Sequence, residues 1–170
     1  MRKMHIATLM LLVMLSTFVI GNASAQVWTI ADLWAGQHTP VGWVFVVVDS
    51  GDLVVSYEIS GGGWEIGKTH LYVGTEAPRK HSPGKFPYKH AVSNVIDQYI
   101  IPLSDVGAAS GDIVYIAAHA TVSKLVGWEP GDPGEPCTPI YQVKTAWAWP
   151  SGRGIPFDKT WAMYFSVTIP

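Results

Sequence analysis

The sequence has little of what several protein classes require. It holds one cysteine, Cys137, in 170 residues, so no internal disulfide can staple a small fold. Charged residues make up only 14% and the formal net charge is −2, which argues against a basic nucleic-acid-binding surface. Eight Trp and a hydrophobic share of 48% exclude intrinsic disorder, which needs few aromatic residues and a high net charge. The length suits one domain.

Sequence motifs of common enzymes are also missing. The chain has no Gly-x-Ser-x-Gly, no His-Glu-x-x-His and no glycine-rich phosphate loop. Cys137 is the one thiol that could act as a nucleophile. It stands in a proline-rich stretch, and an unpaired thiol of a secreted protein more often packs as a small hydrophobe or forms an intermolecular bridge. We therefore expect a protein that is not an enzyme.

The one long hydrophobic run lies at the N-terminus. Arg2 and Lys3 precede an almost unbroken apolar run over residues 6–20, and small residues follow up to Ala25. This is the layout of a secretory signal peptide, and the run is shorter than the roughly 20 residues that span a bilayer. We predict cleavage after Ala25, a mature form without a membrane anchor, and a secreted or cell-surface location for residues 26–170.

Alternation with a period of two dominates the rest of the chain. Every second residue of 161–169 is apolar, as on a half-buried strand, and two β-branched runs around residues 49–52 predict a hairpin. Further strands are predicted at 65–73, 95–103, 113–125 and 143–149, with a short helical candidate at 30–35. About seven short strands predict one all-β domain, residues 26–170, folded as an antiparallel immunoglobulin-like β-sandwich with two long loops.

The predicted loops, 75–94 and 127–142, are rich in proline and glycine, and loops of this length are often functional. The first concentrates positive charge in an otherwise acidic protein, at Arg79, Lys80, Lys85 and Lys89. Such a patch suits an anionic polysaccharide, an acidic face of another surface protein or a neighbouring copy. The second carries Glu129, Asp132 and Glu135, whose carboxylates suit Ca²⁺ but lack the spacing of a calcium-binding loop.

Six short motifs occur in a recognisable order. They are Ala-Gly-Gln at 35–37, Gly-Trp at 63–64, Thr-His-Leu-Tyr-Val-Gly at 69–74, Pro-Gly-Lys-Phe-Pro-Tyr at 83–88, Tyr-Ile-Ala-Ala-His-Ala at 115–120 and Trp-Ala-Met-Tyr-Phe at 161–165. The ordered set resembles a widespread, functionally uncharacterised domain of secreted bacterial and archaeal proteins, often found beside immunoglobulin-like repeats. The resemblance covers most of residues 35–169 and implies an extracellular β-domain without known catalytic residues. Lys144 departs from the family pattern, which has an acidic residue there.

Two histidines are the candidate metal ligands. Alternation places His70 and Tyr72 on one face of their strand, and Tyr115 and His119 on the polar face of another. If the strands face the same way, the four side chains form one polar-aromatic face beneath the long loops. Neutral imidazoles bind zinc, copper or nickel, so His70 and His119 could hold a transition metal for a carrier or an enzyme. Alternatively, both histidines hydrogen-bond loop backbone and hold the loops in place. No other cofactor is expected.

Three tryptophans lie outside the clean core pattern. Trp128, Trp147 and Trp149 would suit stacking on sugars if their rings were exposed, which predicts a carbohydrate-binding module that also uses the basic loop. Trp147 and Trp149 share one face of their strand, however, and burial in the core explains that spacing equally well.

These observations favour a secreted, non-enzymatic structural or adhesive protein of a surface or matrix. An alternating apolar segment at 26–30 could complete the sheet edge of a neighbouring copy and so build a homo-oligomer or filament by strand addition. A carbohydrate-binding module and a metal-binding protein or enzyme remain the alternatives.

Overall fold

The described residues form ten strands and two short 3-10 helices. The structure, a computed structural model, describes residues 28–151 and 154–170, so the predicted signal peptide lies outside them. The strands are β1 (Trp28–Ala35), β2 (Thr39–Asp49), β3 (Asp52–Ile59), β4 (Trp64–Gly74), β5 (Tyr88–Asn94), β6 (Ile96–Pro102), β7 (Ile113–Glu129), β8 (Thr138–Trp149), β9 (Ile155–Pro156) and β10 (Met163–Thr168), and the 3-10 helices are Pro83–Lys85 and Leu103–Val106. Within this part of the chain, no helix is long and apolar enough to cross a membrane.

The strands pair along a single path. Their order is β5-β4-β7-β8-β1-β2-β3-β6. Outside this path, β10 pairs with β7 and with the short β9. Every pair is antiparallel. The two end strands, β5 and β6, follow one another in the chain and touch through side chains, so the sheet rolls into a nearly closed cylinder. The prediction of an antiparallel all-β fold is confirmed, but an immunoglobulin-like sandwich is not.

The interior of this cylinder is filled by alternate side chains. In β1, Ala31, Leu33 and Ala35 are almost fully buried, and Tyr57 and Phe165 are the largest fully buried side chains of the core. A strand sends successive side chains to opposite faces, so period-two sequences bury one face here. A second, smaller cluster covers the outer face of β7 and β8, and consists of Phe86, Ala117, Trp147, Phe157 and Ala162.

Several predicted elements need correction. Residues 30–35 are part of strand β1 and not a helix, because Ala31, Leu33 and Ala35 follow the strand period. Half of the predicted loop 127–142 is strand, since β7 continues to Glu129 and β8 begins at Thr138. The predicted loop 75–94 ends in strand β5.

The hairpin around residues 49–52 is confirmed. Asp49 of β2 pairs with Asp52 of β3, and the two turn residues, Ser50 and Gly51, both have positive φ. A two-residue hairpin turn of this kind matches the right-handed twist of the flanking strands.

Candidate functional site

The outer face of β4, β7 and β8 is covered by two loop segments. We call residues 75–87 and 154–162 the roof, because they place Phe86, Phe157 and Ala162 over Trp147. Tyr72 and Tyr115 lie at the margins of this cluster. Tyr72 packs against Phe86, and its hydroxyl donates a 2.7 Å hydrogen bond to the Glu76 carbonyl.

Tyr115 packs edge-on against Tyr164, with ring centroids 6.2 Å apart. Tyr72 and Tyr115 are both half-buried. Of these two tyrosines, predicted as ligand-binding residues, Tyr72 contacts the roof, whereas Tyr115 packs on strand β10.

His70 and His119 face each other across the pairing of β4 with β7. The two residues are direct partners in the strand register, and their Nδ1 atoms are 3.2 Å apart. A hydrogen bond at this distance requires one neutral ring to carry its proton on Nδ1 and the other to carry it on Nε2. The alternation in the sequence predicts this shared face. The alternative in which both rings hydrogen-bond loop backbone is not what the structure contains, because the rings bond each other.

The two imidazoles are held neutral. Burial, helped by the neighbouring His70, lowers the pKa of His119 to about 3. Burial, followed by the nearby charges of Lys89 and Lys68, also lowers the pKa of His70. A neutral imidazole is the form that binds a metal ion, so the pair is chemically suited to one.

The geometry of the pair suits a partial metal site. Nitrogen ligands lie about 2.0–2.1 Å from Zn²⁺, which in a tetrahedral site puts two of them about 3.3 Å apart. The 3.2 Å between His70 and His119 is close to that span. Among the described residues, no group of three His, Cys, Asp or Glu side chains could hold a metal ion. An ion on this pair would need its other ligands from solvent or a bound molecule.

The three candidate tryptophans do not form one platform. Trp147 is only 5% exposed beneath the roof, which corrects its prediction as an exposed sugar-stacking ring. Trp149 is half-buried, and its Nε1 donates a hydrogen bond to the carbonyl of Trp161. Trp128 lies elsewhere, on β7, and is 58% exposed. Burial in an aromatic cluster, which the spacing of Trp147 and Trp149 also allows, is what the structure contains.

The basic residues lie together in and beside the roof. Residues 79–89, here called the basic loop, carry four Lys or Arg and no acid. Arg79, Lys80 and Lys85 line a pocket of about 210 Å³ with Tyr72 and Phe86. These positive charges face solvent together.

Two of the four basic side chains have partners within the same segment. Lys89 donates a hydrogen bond from Nζ to the Gly84 carbonyl, and Arg79 pairs with Glu76 at 3.5 Å. Both members of the Arg79–Glu76 pair are highly exposed, so it contributes little to stability.

The distal ends of β7 and β8 project from the cylinder. β4 pairs with β7 only up to Lys124, and β1 pairs with β8 only from Ala146 to Trp149. We call residues 125–143 the arm. Among the described residues, its two strand segments therefore pair only with one another. The arm exposes six large apolar side chains, at 40–61% of their surface: Leu125, Val126, Trp128, Ile140, Tyr141 and Val143. Its tip holds Glu129, Asp132, Glu135 and the exposed Cys137.

A polar network around the buried Asp97 closes the cylinder. The Asp97 carboxylate of β6 accepts hydrogen bonds from the Thr69 hydroxyl of β4 and from His90 Nδ1 of β5, the latter at 2.9 Å. The Tyr99 hydroxyl lies 2.7 Å from the Thr69 hydroxyl, and the Tyr99 ring stacks on His90. Sequence reasoning missed this network. The available signal was Asp97 itself, a charged residue on the apolar face of a strand.

Beside this network, β5 and β6 diverge around a cleft. The cleft has a volume of about 390 Å³ and runs between Tyr88 and Lys89 on one side and Ile100 and Pro102 on the other. β5 and β6 end the path of paired strands. Each therefore presents one backbone edge that no described strand covers.

Strand β1 is not a free donor strand. The N-terminal segment was expected to complete the sheet of a neighbouring copy, but Trp28–Ala35 pairs with β2 over its whole length and with β8 from Asp32 onward. Residues 26 and 27 of that segment lie outside the described residues.

Comparison with known proteins adds no further constraint. No protein-family model, curated protein or solved structure matches this chain. The resemblance to secreted bacterial and archaeal domains therefore stays a prediction from the six motifs.

Proposed function

We propose that the chain is a secreted, non-enzymatic structural or adhesive protein that associates with copies of itself. The arm is the observation that carries this proposal. Six large apolar side chains stand exposed on a short two-stranded ribbon. A concentration of exposed apolar side chains on one segment often marks a site of protein association.

The arm carries no basic side chain along its free strand edges. Monomeric proteins often place lysine on such edges to stop them from pairing with other chains. Residues 125–143 contain no lysine and no arginine. Trp128 and Tyr141 are residue types that dominate the energetics of protein interfaces, and both are more than half exposed. These features support burial of the arm against another chain.

The test is the molar mass of the protein with and without the arm. Leu125 and Tyr141 are register partners, so residues 126–140 can be replaced by Asn-Gly, which closes a two-residue turn between them. We expect residues 26–170, under reducing conditions, to show a molar mass that rises with concentration in sedimentation velocity. The shortened variant should stay monomeric and unfold at the same temperature. A wild-type chain that remains monomeric at millimolar concentration would overturn the proposal.

Transition-metal binding is a second candidate function, favoured by the 3.2 Å spacing of two neutral imidazoles. Calorimetric titration with Zn²⁺ and Cu²⁺ tests it directly. We expect one equivalent to bind, and His119→Gln to abolish binding, whereas exposed His38→Gln has no effect. Binding that survives His119→Gln would refute a site at the pair.

A further inference from the structure

The arm and the basic loop carry opposite charges. The tip has three carboxylates, Glu129, Asp132 and Glu135, and residues 125–143 hold no Lys or Arg. The basic loop, residues 79–89, has four basic side chains and no acid. One surface of the molecule therefore complements another electrostatically, and such complementarity sets register and orientation when chains associate.

The cleft beside the basic loop offers a strand edge. Ile59 N–H donates to the Val95 carbonyl and Leu103 N–H donates to the Gly51 carbonyl, so residues 95 and 103 direct their backbone groups toward β3. In an antiparallel ladder these groups alternate in direction along the strand. The backbone groups of residues 98 and 100, which line the cleft, therefore point away from β3. Ile100 is also 62% exposed there.

The arm has a matching free edge. β8 pairs with β1 only from Ala146 onward, so residues 138–144 have an open edge on that side within the described part of the chain. The open edge of β8 and that of β6 are similar in length, and each lies beside exposed apolar side chains. Backbone pairing between two such edges gives affinity, and the side chains give register.

The direction of the strands brings the charges together. Tyr88, at the start of β5, and Pro102, at the end of β6, line the same cleft, so the basic loop lies near the end of β6. If β8 adds antiparallel to β6, its first residue, Thr138, lies beside Pro102. The acidic tip then continues past the end of β6 toward the basic loop. Parallel addition would carry the tip to the opposite end of the cleft.

We propose that the arm of one copy pairs antiparallel with β6 of a second copy, with its acidic tip against the basic loop. This inference rests on the self-association proposed above and names its two surfaces. A carboxylate of the tip enters the pocket lined by Arg79, Lys80 and Lys85. The contact joins two different surfaces, so a pair of bound copies leaves one arm and one cleft free, and a chain of copies grows head to tail.

Two charge-reversed variants test the pairing. The first replaces Glu129, Asp132 and Glu135 by lysine, and the second replaces Arg79, Lys80 and Lys85 by glutamate. All six side chains are exposed, so both variants should fold. In each variant alone, the arm tip and the basic loop carry charge of the same sign and repel each other. We therefore expect its association to weaken at least about tenfold. Mixed in equal amounts, the two variants restore opposite charges at every contact, and association should return to near the wild-type level.

The outcomes separate this inference from the function it rests on. Wild-type chains that fail to associate overturn the proposed function. Wild-type association together with reversed variants that associate equally well, or a mixture that stays monomeric, overturns only the pairing of arm and basic loop.

The β6 edge is tested by a matched pair of lysine substitutions. Ile100→Lys puts a charge at the cleft, whereas Ile113→Lys puts one on β7, where Ile113 is similarly exposed and pairs with β10. We expect Ile100→Lys to weaken association at least about fivefold and Ile113→Lys to leave it unchanged. Equal effects of the two substitutions would place the contact away from β6.

Discussion

The roofed face and the arm are both built on β7 and β8, yet aromatic side chains are buried on the first and exposed on the second. Over the cylinder, Trp147 is covered by Phe86 and Phe157 and is 5% exposed. On the arm of the same two strands, Trp128 is 58% exposed. One continuous hairpin thus carries a ring that its own chain covers and another that it leaves open.

This difference separates a region whose aromatic side chains are buried by the chain itself from a region whose aromatic side chains are left exposed. The roof covers His119, which is hydrogen-bonded to His70, and it packs against Tyr72 through Phe86. Among the described residues, every buried side-chain nitrogen or oxygen has a hydrogen-bond partner. No residue of the arm belongs to either buried cluster, which is why we propose another chain as the partner of its apolar side chains.

The largest expected contrast comes from truncating one aromatic residue in each region. Trp147→Ala removes a side chain that is 5% exposed beneath the roof and should lower the free energy of unfolding by about 3–5 kcal/mol. Trp128→Ala removes a mostly exposed ring and should change that free energy by less than about 0.5 kcal/mol. Urea unfolding measures both, and sedimentation of the same samples should show that only Trp128→Ala weakens association. A large loss of stability from Trp128→Ala would mean that the arm packs on the body.

The pH dependence of stability is the second contrast. In the folded chain the pKa of His119 is about 3, and in the unfolded chain it returns to its ordinary 6.5. Between these values the unfolded chain binds a proton that the folded chain does not, so stability falls as the pH drops from about 6.5 toward 3. At about 1.4 kcal/mol per pH unit over this range, the loss on lowering the pH from 6.5 to 4 is on the order of 3 kcal/mol. Above pH 6.5 this group adds no slope.

Unfolding curves between pH 4 and 8 measure this effect. His119→Gln should flatten the acid side of the profile, and the exposed control His38→Gln should leave it unchanged. A profile for His119→Gln that matches the wild type would show that the buried pair does not govern the acid slope.

The smallest of the three effects concerns the network that closes the cylinder. Asp97→Asn keeps the shape of the side chain but replaces one acceptor oxygen by a donor, so a hydrogen bond from Thr69 or His90 is lost. We expect a loss of about 1–3 kcal/mol in the free energy of unfolding. Exposed Asp158→Asn is the control and should have no effect. Equal stability of the two variants would mean that the network does not hold β6 to β4 and β5.

The sequence predicts the parts of this molecule in which one face of a strand is buried. Alternation identifies the hairpin at residues 49–52 and places His70 and His119 on matching faces, because burial of one face imposes a period of two. It fails for β5, whose polar residues lie at a sheet edge. It also fails for the outer part of β7 and β8, because neither face of the arm is buried and proline-rich residues follow at the tip.

The candidate site is predictable only in part, for a related reason. The histidine pair depends on neighbouring strands and follows from local pattern. The roof depends on Phe157 and Phe86, which are far apart in the chain and meet only through the fold. Strand order likewise depends on contacts of long sequence separation, so a sandwich and a rolled sheet share the same local pattern.

Cysteine cross-linking tests the central claim, that the arm of one copy binds beside β6 of the next, most directly. Cys137 marks the arm tip and is exposed. Its partner is a chain with Cys137→Ser and one introduced thiol, in turn Arg79→Cys, Lys80→Cys or Lys85→Cys. A disulfide requires Cα atoms within about 7 Å. We expect mixed disulfides between the two chains in at least one pairing, formed faster than disulfides between two Cys137 tips. Dimers joined only through Cys137 on both sides would contradict the head-to-tail contact.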